Sequence, residues 1–228
     1  MSRLETAAPA PQHIFRGVAD WEKIAALGEK TEIEPFEMLR HPFEGEERCY
    51  VVLSGSLLEK IFRRGKEASA LNIYQRGAIL FESHAMVNTK SKAVYFEALE
   101  RTSVSCILRT ALRDAVVSDP TVGSVLVDSL FCKLAACIDQ LDDSHTRTAS
   151  ERVLSLLVEL CLAADTPQDD PEWLHADLRL SQQTMADMLC MNRVTVAKAL
   201  NHLRDVGSVA THGKQMLVAR DAVLPSGE

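Results

Sequence analysis

Five cationic side chains, Arg193, Lys198, Arg204, Lys214 and Arg220, fall between Ser181 and Arg220, against only Asp187 and Asp205 in the same stretch. That stretch carries +3 in a chain whose net charge is −7. Guanidinium and ammonium groups displace the counterions condensed on a phosphate backbone, and that release drives binding to nucleic acid. An acidic chain gains nothing overall from a polyanion, so a locally basic segment points to one face dedicated to it. A solvated helix face would carry the same charge. What separates the two readings is the scaffold around the cations.

That scaffold reads as helix, turn, helix and hairpin. Ser181 is placed to cap a first helix, Gln182 to Leu189, with Met185, Met188 and Leu189 on one face. Cys190-Met191-Asn192 follows as the turn. Asn192 is placed to cap a second helix, Arg193 to Asp205, with Val196, Leu200 and Leu203 facing inward. Ser and Asn suit these places because their side-chain oxygens accept from the free N–H groups of a first helical turn. Gly207 closes the second helix. Val209 to Thr211 and Gln215 to Val218 then flank His212-Gly213-Lys214, a hairpin turn. This is the layout of a winged helix-turn-helix, with double-stranded DNA as the leading partner.

The 228 residues make one large or two modest domains, and at 46% hydrophobic they can bury a real core. No uninterrupted apolar run approaches the ~20 residues that span a bilayer, so no membrane partner is expected. The start of the chain has Pro9 and Pro11 but no apolar signal segment, and 1–17 reads as a flexible lead. Six cysteines (Cys49, Cys106, Cys132, Cys137, Cys161 and Cys190) lie far apart without a C-x-x-C, which favours reduced thiols and a cytoplasmic setting.

Upstream of the reader the pattern changes twice. Val18 to Lys30 reads as a short helix. From Thr31 to Leu108, apolar runs alternate with turn residues: Cys49–Leu53, Leu57–Phe62, Ala70–Tyr74, Ala78–Phe81, Val94–Leu99 and Ser103–Leu108. Short strands at this spacing make a β-sandwich or roll, placed at 18–112. Asp119-Pro120 opens a long helix in which Val127, Leu130, Leu134, Cys137 and Leu141 recur at 3,4,3,4 spacing. That seam buries itself against another helix, either within the domain or in a parallel homodimer through residues 119–143, and the dimer is favoured. Two readers in a dimer would meet two half-sites about one helical turn apart. The dimerisation region is placed at 113–145. Thr148-Ala-Ser-Glu151 has the capping-box pattern, and the winged helix-turn-helix domain is placed at 146–228. Asp165 to Pro171 reads as a loop. The fold class is therefore α+β: a β-roll, a long helix and a winged helix-turn-helix.

This order resembles the superfamily of the cyclic-AMP receptor protein and the fumarate-nitrate reduction regulator. The likeness spans about Val18 to Arg220 and is sharpest in three places. Tyr50-Val-Val-Leu-Ser-Gly-Ser56 is similar to the roll's strand-turn signature. Thr148-Ala-Ser-Glu-Arg-Val153 is similar to the start of the family's DNA-binding domain. Leu180 to Leu200, followed by His212-Gly-Lys214, is similar to its helix-turn-helix and wing. The resemblance implies a dimeric bacterial transcription factor that binds a small effector in the roll and works with RNA polymerase. It places Arg193 where members read a guanine, whose two major-groove acceptors a guanidinium can bond together. It makes Thr195 and Gln183 phosphate contacts, and includes Asn192, His212 and Lys214 in the DNA surface. Val194 stands where many members have Glu, so it can touch a thymine methyl but cannot accept from cytosine. Lys198 replaces a frequent Arg, keeping the charge and losing the fork. Cys190 replaces a usual turn glycine, which would be easier there at positive φ.

For the effector, the resemblance points to Phe81, Glu82, Lys92, Cys137 and Ile138. The family's cyclic-nucleotide pocket uses a Gly-Glu pair and an Arg. Here Arg76-Gly-Ala-Ile-Leu-Phe81-Glu82 keeps the Glu but sets Phe81 in the Gly position, where its bulk blocks the approach of phosphate. The Arg position falls near Lys92, and Cys137 and Ile138 bring no hydroxyl to the long helix. These departures argue against cyclic AMP. Residues 1–48 hold no Cys, which argues against an iron–sulfur cluster. Haem stays open through His41, His84 or Cys49. Val194-Thr195-Val196 with Lys198 is similar to the recognition helix of halorespiration regulators, which sense a chlorinated aromatic, and a small organic effector is favoured.

Two other readings stay in view. The roll could bind nothing, leaving a constitutive DNA-binding dimer. Alternatively the roll could be a cupin-like metal enzyme, but His13, His41, His84, His145, His175, His202 and His212 are scattered, with no H-x-H or H-E-x-x-H. No catalytic and no metal-binding residue is assigned, and an enzyme is not expected.

Overall fold

The structure is a computed structural model that describes residues 12–39, 48–63, 69–81, 92–164, 166–213 and 215–223. Alternating apolar residues build eight strands in the N-terminal part. They are β1 (Ile14–Phe15), β2 (Glu29–Ile33), β3 (Arg48–Ser54), β4 (Leu57–Arg63), β5 (Ser69–Tyr74), β6 (Ile79–Phe81), β7 (Lys92–Ala98) and β8 (Thr102–Leu108). They form two four-stranded sheets, ordered β1-β5-β4-β7 and β2-β8-β3-β6. The inner faces of the two sheets meet through Leu57, Tyr74 and Phe96 from one and Tyr50, Leu80 and Val104 from the other. Gly55 turns β3 into β4 at φ +79, and a Cβ there would lie 2.6 Å from the Arg101 carbonyl oxygen, so no other residue fits.

Two expectations for the start of the chain need correction. Within the lead predicted over 1–17, Gln12, His13, Ile14 and Phe15 are buried rather than free, and β1 runs parallel to β5. The helix predicted over Val18 to Lys30 shrinks to α1 (Glu22–Ala25). Asp20 sits at φ +61 and breaks the helix before it starts, and Glu29 already pairs with Cys106 of β8.

Past the roll come α2 (Arg109–Ser118) and α3 (Pro120–Thr146). The Asp119 side chain caps α3 by accepting from the Thr121 N–H, and Pro120 occupies the first helical position, where a missing donor costs nothing. By length and composition α3 is apolar enough to cross a membrane. One of its faces lies on the roll, burying Val122, Val125, Ser129 and Ala136. The opposite face leaves Val127, Leu130, Phe131, Leu134, Ile138 and Leu141 exposed. The expected seam is thus on the open side of the helix.

Two extended residues, Arg147 and Thr148, separate α3 from α4 (Ala149–Leu162). Thr148 and Glu151 close the capping box at its start, and the Thr148 N–H and hydroxyl, both donating to the Glu151 carboxyl, hold it below its ordinary range. Three strands, β9 (Trp173–His175), β10 (Val209–His212) and β11 (Gln215–Ala219), form a small sheet ordered β10-β11-β9. Between them lie α5 (Gln182–Met188) and α6 (Arg193–Asp205). Their shared core is Leu156, Leu157 and Leu160 of α4, Met185 and Ala186 of α5, Val196, Leu200 and Leu203 of α6, and Val209 and Val218 of the wing.

Candidate nucleic-acid interface

The helix-turn-helix is fixed at both caps. The Ser181 hydroxyl accepts from the Thr184 N–H at 3.0 Å, and the Asn192 side-chain Oδ1 accepts from the Val194 N–H at 2.9 Å. Between them, Cys190 takes φ +52, the left-handed conformation that glycine would adopt without strain. The turn is held by Cys190 N–H to the Asp187 carbonyl at 3.1 Å and Met191 N–H to the Ala186 carbonyl at 2.8 Å. Arg152 of α4 donates to the Leu189 carbonyl at 2.5 Å, tying the turn to the domain core. Sequence reasoning missed Arg152, although its place inside the capping-box segment is a usable signal.

With Val196, Ala199, Leu200 and Leu203 turned into the core, α6 presents Asn192, Arg193, Val194, Thr195 and Lys198 to solvent on its N-terminal half. Arg204 is also exposed and donates to Asn201 at 3.1 Å. Gln183 is exposed on α5, and its amide donates to Asp187 at 2.8 Å, so a phosphate would have to compete for it. Gly207 ends α6 at φ +80. The wing differs slightly from expectation: His212 is part of β10 and pairs with Gln215 rather than opening the turn, and Gly213 follows it at φ +60. His212 is exposed; Lys214 lies outside the described residues.

Arg220 leaves the basic face. Its Nε donates to the Asp170 carbonyl at 2.7 Å and its Nη2 to the Gln168 carbonyl, so it pins the loop before β9. Asp170 in turn accepts from the Glu172 and Trp173 N–H groups, which hold its carboxyl below its ordinary range. Nothing in the loop's acidic, proline-containing sequence announces that β9 follows it.

The effector residues expected from sequence are only partly visible. Phe81 lies on β6 and Lys92 on β7, with side chains outside the described set; Glu82, His41 and His84 lie outside it altogether. Ile138 faces away from the roll, and Cys137 is exposed. The groups that α3 brings onto the roll are others. Lys133 donates to the Ile79 carbonyl and stands 5.4 Å from the Tyr74 ring centroid. Glu59 accepts from the Tyr74 hydroxyl at 3.1 Å and from Asn72 at 2.9 Å. Burial pushes the Lys133 amine down to about 8, with Glu59 opposing the shift. Burial likewise lifts the Tyr74 phenol well above its usual value, and the Glu59 charge adds to it. Sequence reasoning missed this trio because Lys133 interrupts an apolar helix and reads as a surface residue. Among the described residues, no group of three or more His, Cys, Asp or Glu could hold a metal ion.

A β-roll, a long helix and a winged helix-turn-helix with an open basic helix define a DNA-binding regulator. Residues 151–223 match the family model of the Crp-like helix-turn-helix domain. The global nitrogen regulator of Synechococcus elongatus is 23% identical over 199 residues, covering 85% of this chain and 88% of that protein. The structure of FixK2 from Bradyrhizobium japonicum superposes with a TM-score of 0.68 at 21% identity, over 86% of this chain and 93% of that one. A CooA variant from Carboxydothermus hydrogenoformans gives 0.68 at 20% identity, over 90% and 89%. Residues 151–223 thus form a Crp-like helix-turn-helix domain, and the chain as a whole is similar to transcription regulators of the Crp/Fnr type.

Proposed function

We propose that the chain acts as a cytoplasmic homodimer that reads a pseudo-palindromic DNA site through two α6 helices and responds to a small organic effector held between roll and long helix. The observation that carries this reading is the pairing of two open faces. The N-terminal half of α6 turns Arg193, Val194, Thr195 and Lys198 to solvent. On α3, six large apolar side chains stand exposed along one face. A second copy is the natural cover for a helix apolar on two sides, because each copy presents the same self-complementary stripe. Two readers related by a two-fold axis then meet two half-sites.

Arg193 is assigned to a guanine in each half-site, Val194 to a thymine methyl, Thr195, Gln183 and Lys198 to the backbone or its neighbouring bases, and Asn192, His212 and Lys214 to the flanking phosphates. The effector is assigned to the region of Glu59, Tyr74 and Lys133, where a buried ammonium, a carboxylate and a phenol converge beside α3. An effector that favours one of two reader arrangements shifts the population between them. RNA polymerase is the further partner that the family resemblance brings. The test is selection of genomic DNA fragments by the purified protein. A motif with two-fold symmetry and half-sites about one helical turn apart is the expected result; an asymmetric motif or none overturns the dimeric reader.

A further inference from the structure

Residues 12 and 13 sit where roll, long helix and reader meet. Both are buried although both are polar. Three polar groups of Gln12 go to helices. Its N–H donates to Glu159 of α4 at 3.0 Å, its side-chain amide to Asp143 of α3 at 3.0 Å, and its carbonyl accepts from Gln140 of α3 at 2.5 Å. The His13 N–H donates to the same Glu159 oxygen at 2.8 Å, and its ring Nδ1 lies 3.4 Å from the other. The His13 carbonyl accepts from the Ile73 N–H of β5 at 2.8 Å. Asp143 is completed by Arg147 at 3.0 Å, at the junction between α3 and α4.

We propose that residues 12–13 are a latch that sets the position of the DNA reader relative to roll and long helix. The proposal rests on the reading of the chain as a DNA-binding regulator. Its physical ground is the cost of Glu159. A buried carboxylate is tolerated only when it is paired and hydrogen-bonded, and here the strap supplies two N–H groups and an imidazole. Withdrawing the strap strands the charge, so α4 and the strap move together or not at all. Beside the strap a cleft of about 480 Å³ opens between α3 and the helix-turn-helix, lined by Cys137, Gln140, Asp143, Met188 and Cys190 among others. Direct packing is therefore incomplete on that side, and the latch spans the gap.

The latch also connects to the buried polar groups under α3. The Gln140 amide that holds Gln12 lies 3.3 Å from the Asn72 oxygen, and Asn72 donates to Glu59, the partner of Tyr74. A ligand that displaced Glu59 or Tyr74 would disturb this chain of hydrogen bonds at its far end. In the latched arrangement the α6 reading face is open, so the latch preorganises the reader and lowers the ordering cost of DNA binding.

The experiment uses full-length protein with spin labels on Asn201 of α6 and Glu97 of β7, both away from the latch. Pulsed dipolar distances and DNA affinity are measured for the otherwise unaltered labelled protein and for the same protein carrying Glu159→Gln or Gln12→Ala. Gln12→Ala lies outside the core of the reading domain, so that domain stays folded if Glu159→Gln proves too disruptive. Broadened or shifted distances in Gln12→Ala, with DNA affinity weakened at least threefold, are the expected result. Unchanged distances in that variant overturn the latch. If the unaltered protein selects no DNA, the functional reading fails, and the distances still decide the latch on their own.

Discussion

Replacing Leu134 by Glu puts a charge in the middle of the open face of α3. Leu134 is 56% exposed in one copy, so a partner helix has about half of the side chain left to cover. Full burial of a leucine is worth about 1.5–3 kcal/mol, which makes this share about 1–1.5 kcal/mol. Two-fold symmetry counts it twice, for about 2–3 kcal/mol per dimer. The substitution also brings two carboxylates toward each other across the axis and strips water from both, adding at least about 1–2 kcal/mol. A total near 4 kcal/mol weakens dimerisation about a thousandfold. The fold of each copy should be spared, because exposed substitutions change stability by only about 0.5 kcal/mol. Sedimentation equilibrium on wild type and Leu134→Glu, with circular dichroism as the folding control, reads both numbers. A folded variant whose dimer constant equals that of wild type would refute the reasoning, as would a wild type that is monomeric at micromolar concentration.

Further expectations concern single residues. Thiol labelling should divide the cysteines: Cys132, Cys137 and Cys190 are exposed, whereas burial pushes Cys49 and Cys161 up to about 12 and keeps them as unreactive thiols. If α3 dimerises, Cys137 should label more slowly in wild type than in Leu134→Glu; equal rates at Cys137 would count against the seam. The Lys133 amine is held at about 8 when folded against 10.5 when free, so between those values the unfolded chain binds more protons and this group favours folding more as pH rises, by up to about 3 kcal/mol. Lys133→Met should therefore be more stable than wild type at pH 7, with the advantage shrinking toward pH 10. Denaturant titrations at both pH values check this, and a pH-independent difference would contradict it. Cys190→Gly relieves the positive φ of the turn and should stabilise the protein by about 0.5–1 kcal/mol after the added flexibility of the unfolded chain is subtracted; thermal unfolding that shows a loss would contradict the strained-turn reading.

The reader was legible in the sequence because its determinants are local. Ser181, Thr148 and Asn192 each cap a helix whose apolar spacing begins within the next turn, and the six strands predicted from Cys49 to Leu108 all form, with ends moved by one or two residues. The missed features depend on partners far along the chain. β9 is three residues long and exists because β11, some forty residues later, offers it an edge. Gln12 and His13 follow a proline-containing polar stretch and look like a tail; their burial depends on Asp143 and Glu159, more than 130 residues away. Lys133 and Glu59 carry the same weakness, since a charged residue in an amphipathic element is read as exposed until the opposite layer is known. The seam of α3 shows the converse. Its 3,4 spacing marks an apolar face in the sequence, and in a single copy that face is exposed.

The most direct test of the reader is selection of genomic DNA by wild type and by Arg193→Ala at two salt concentrations. A two-fold symmetric motif in wild type, weakened by salt and lost or relaxed at one base of each half-site in Arg193→Ala, is the result expected from an exposed guanidinium at the start of α6. The same motif recovered with unchanged affinity from Arg193→Ala would contradict it.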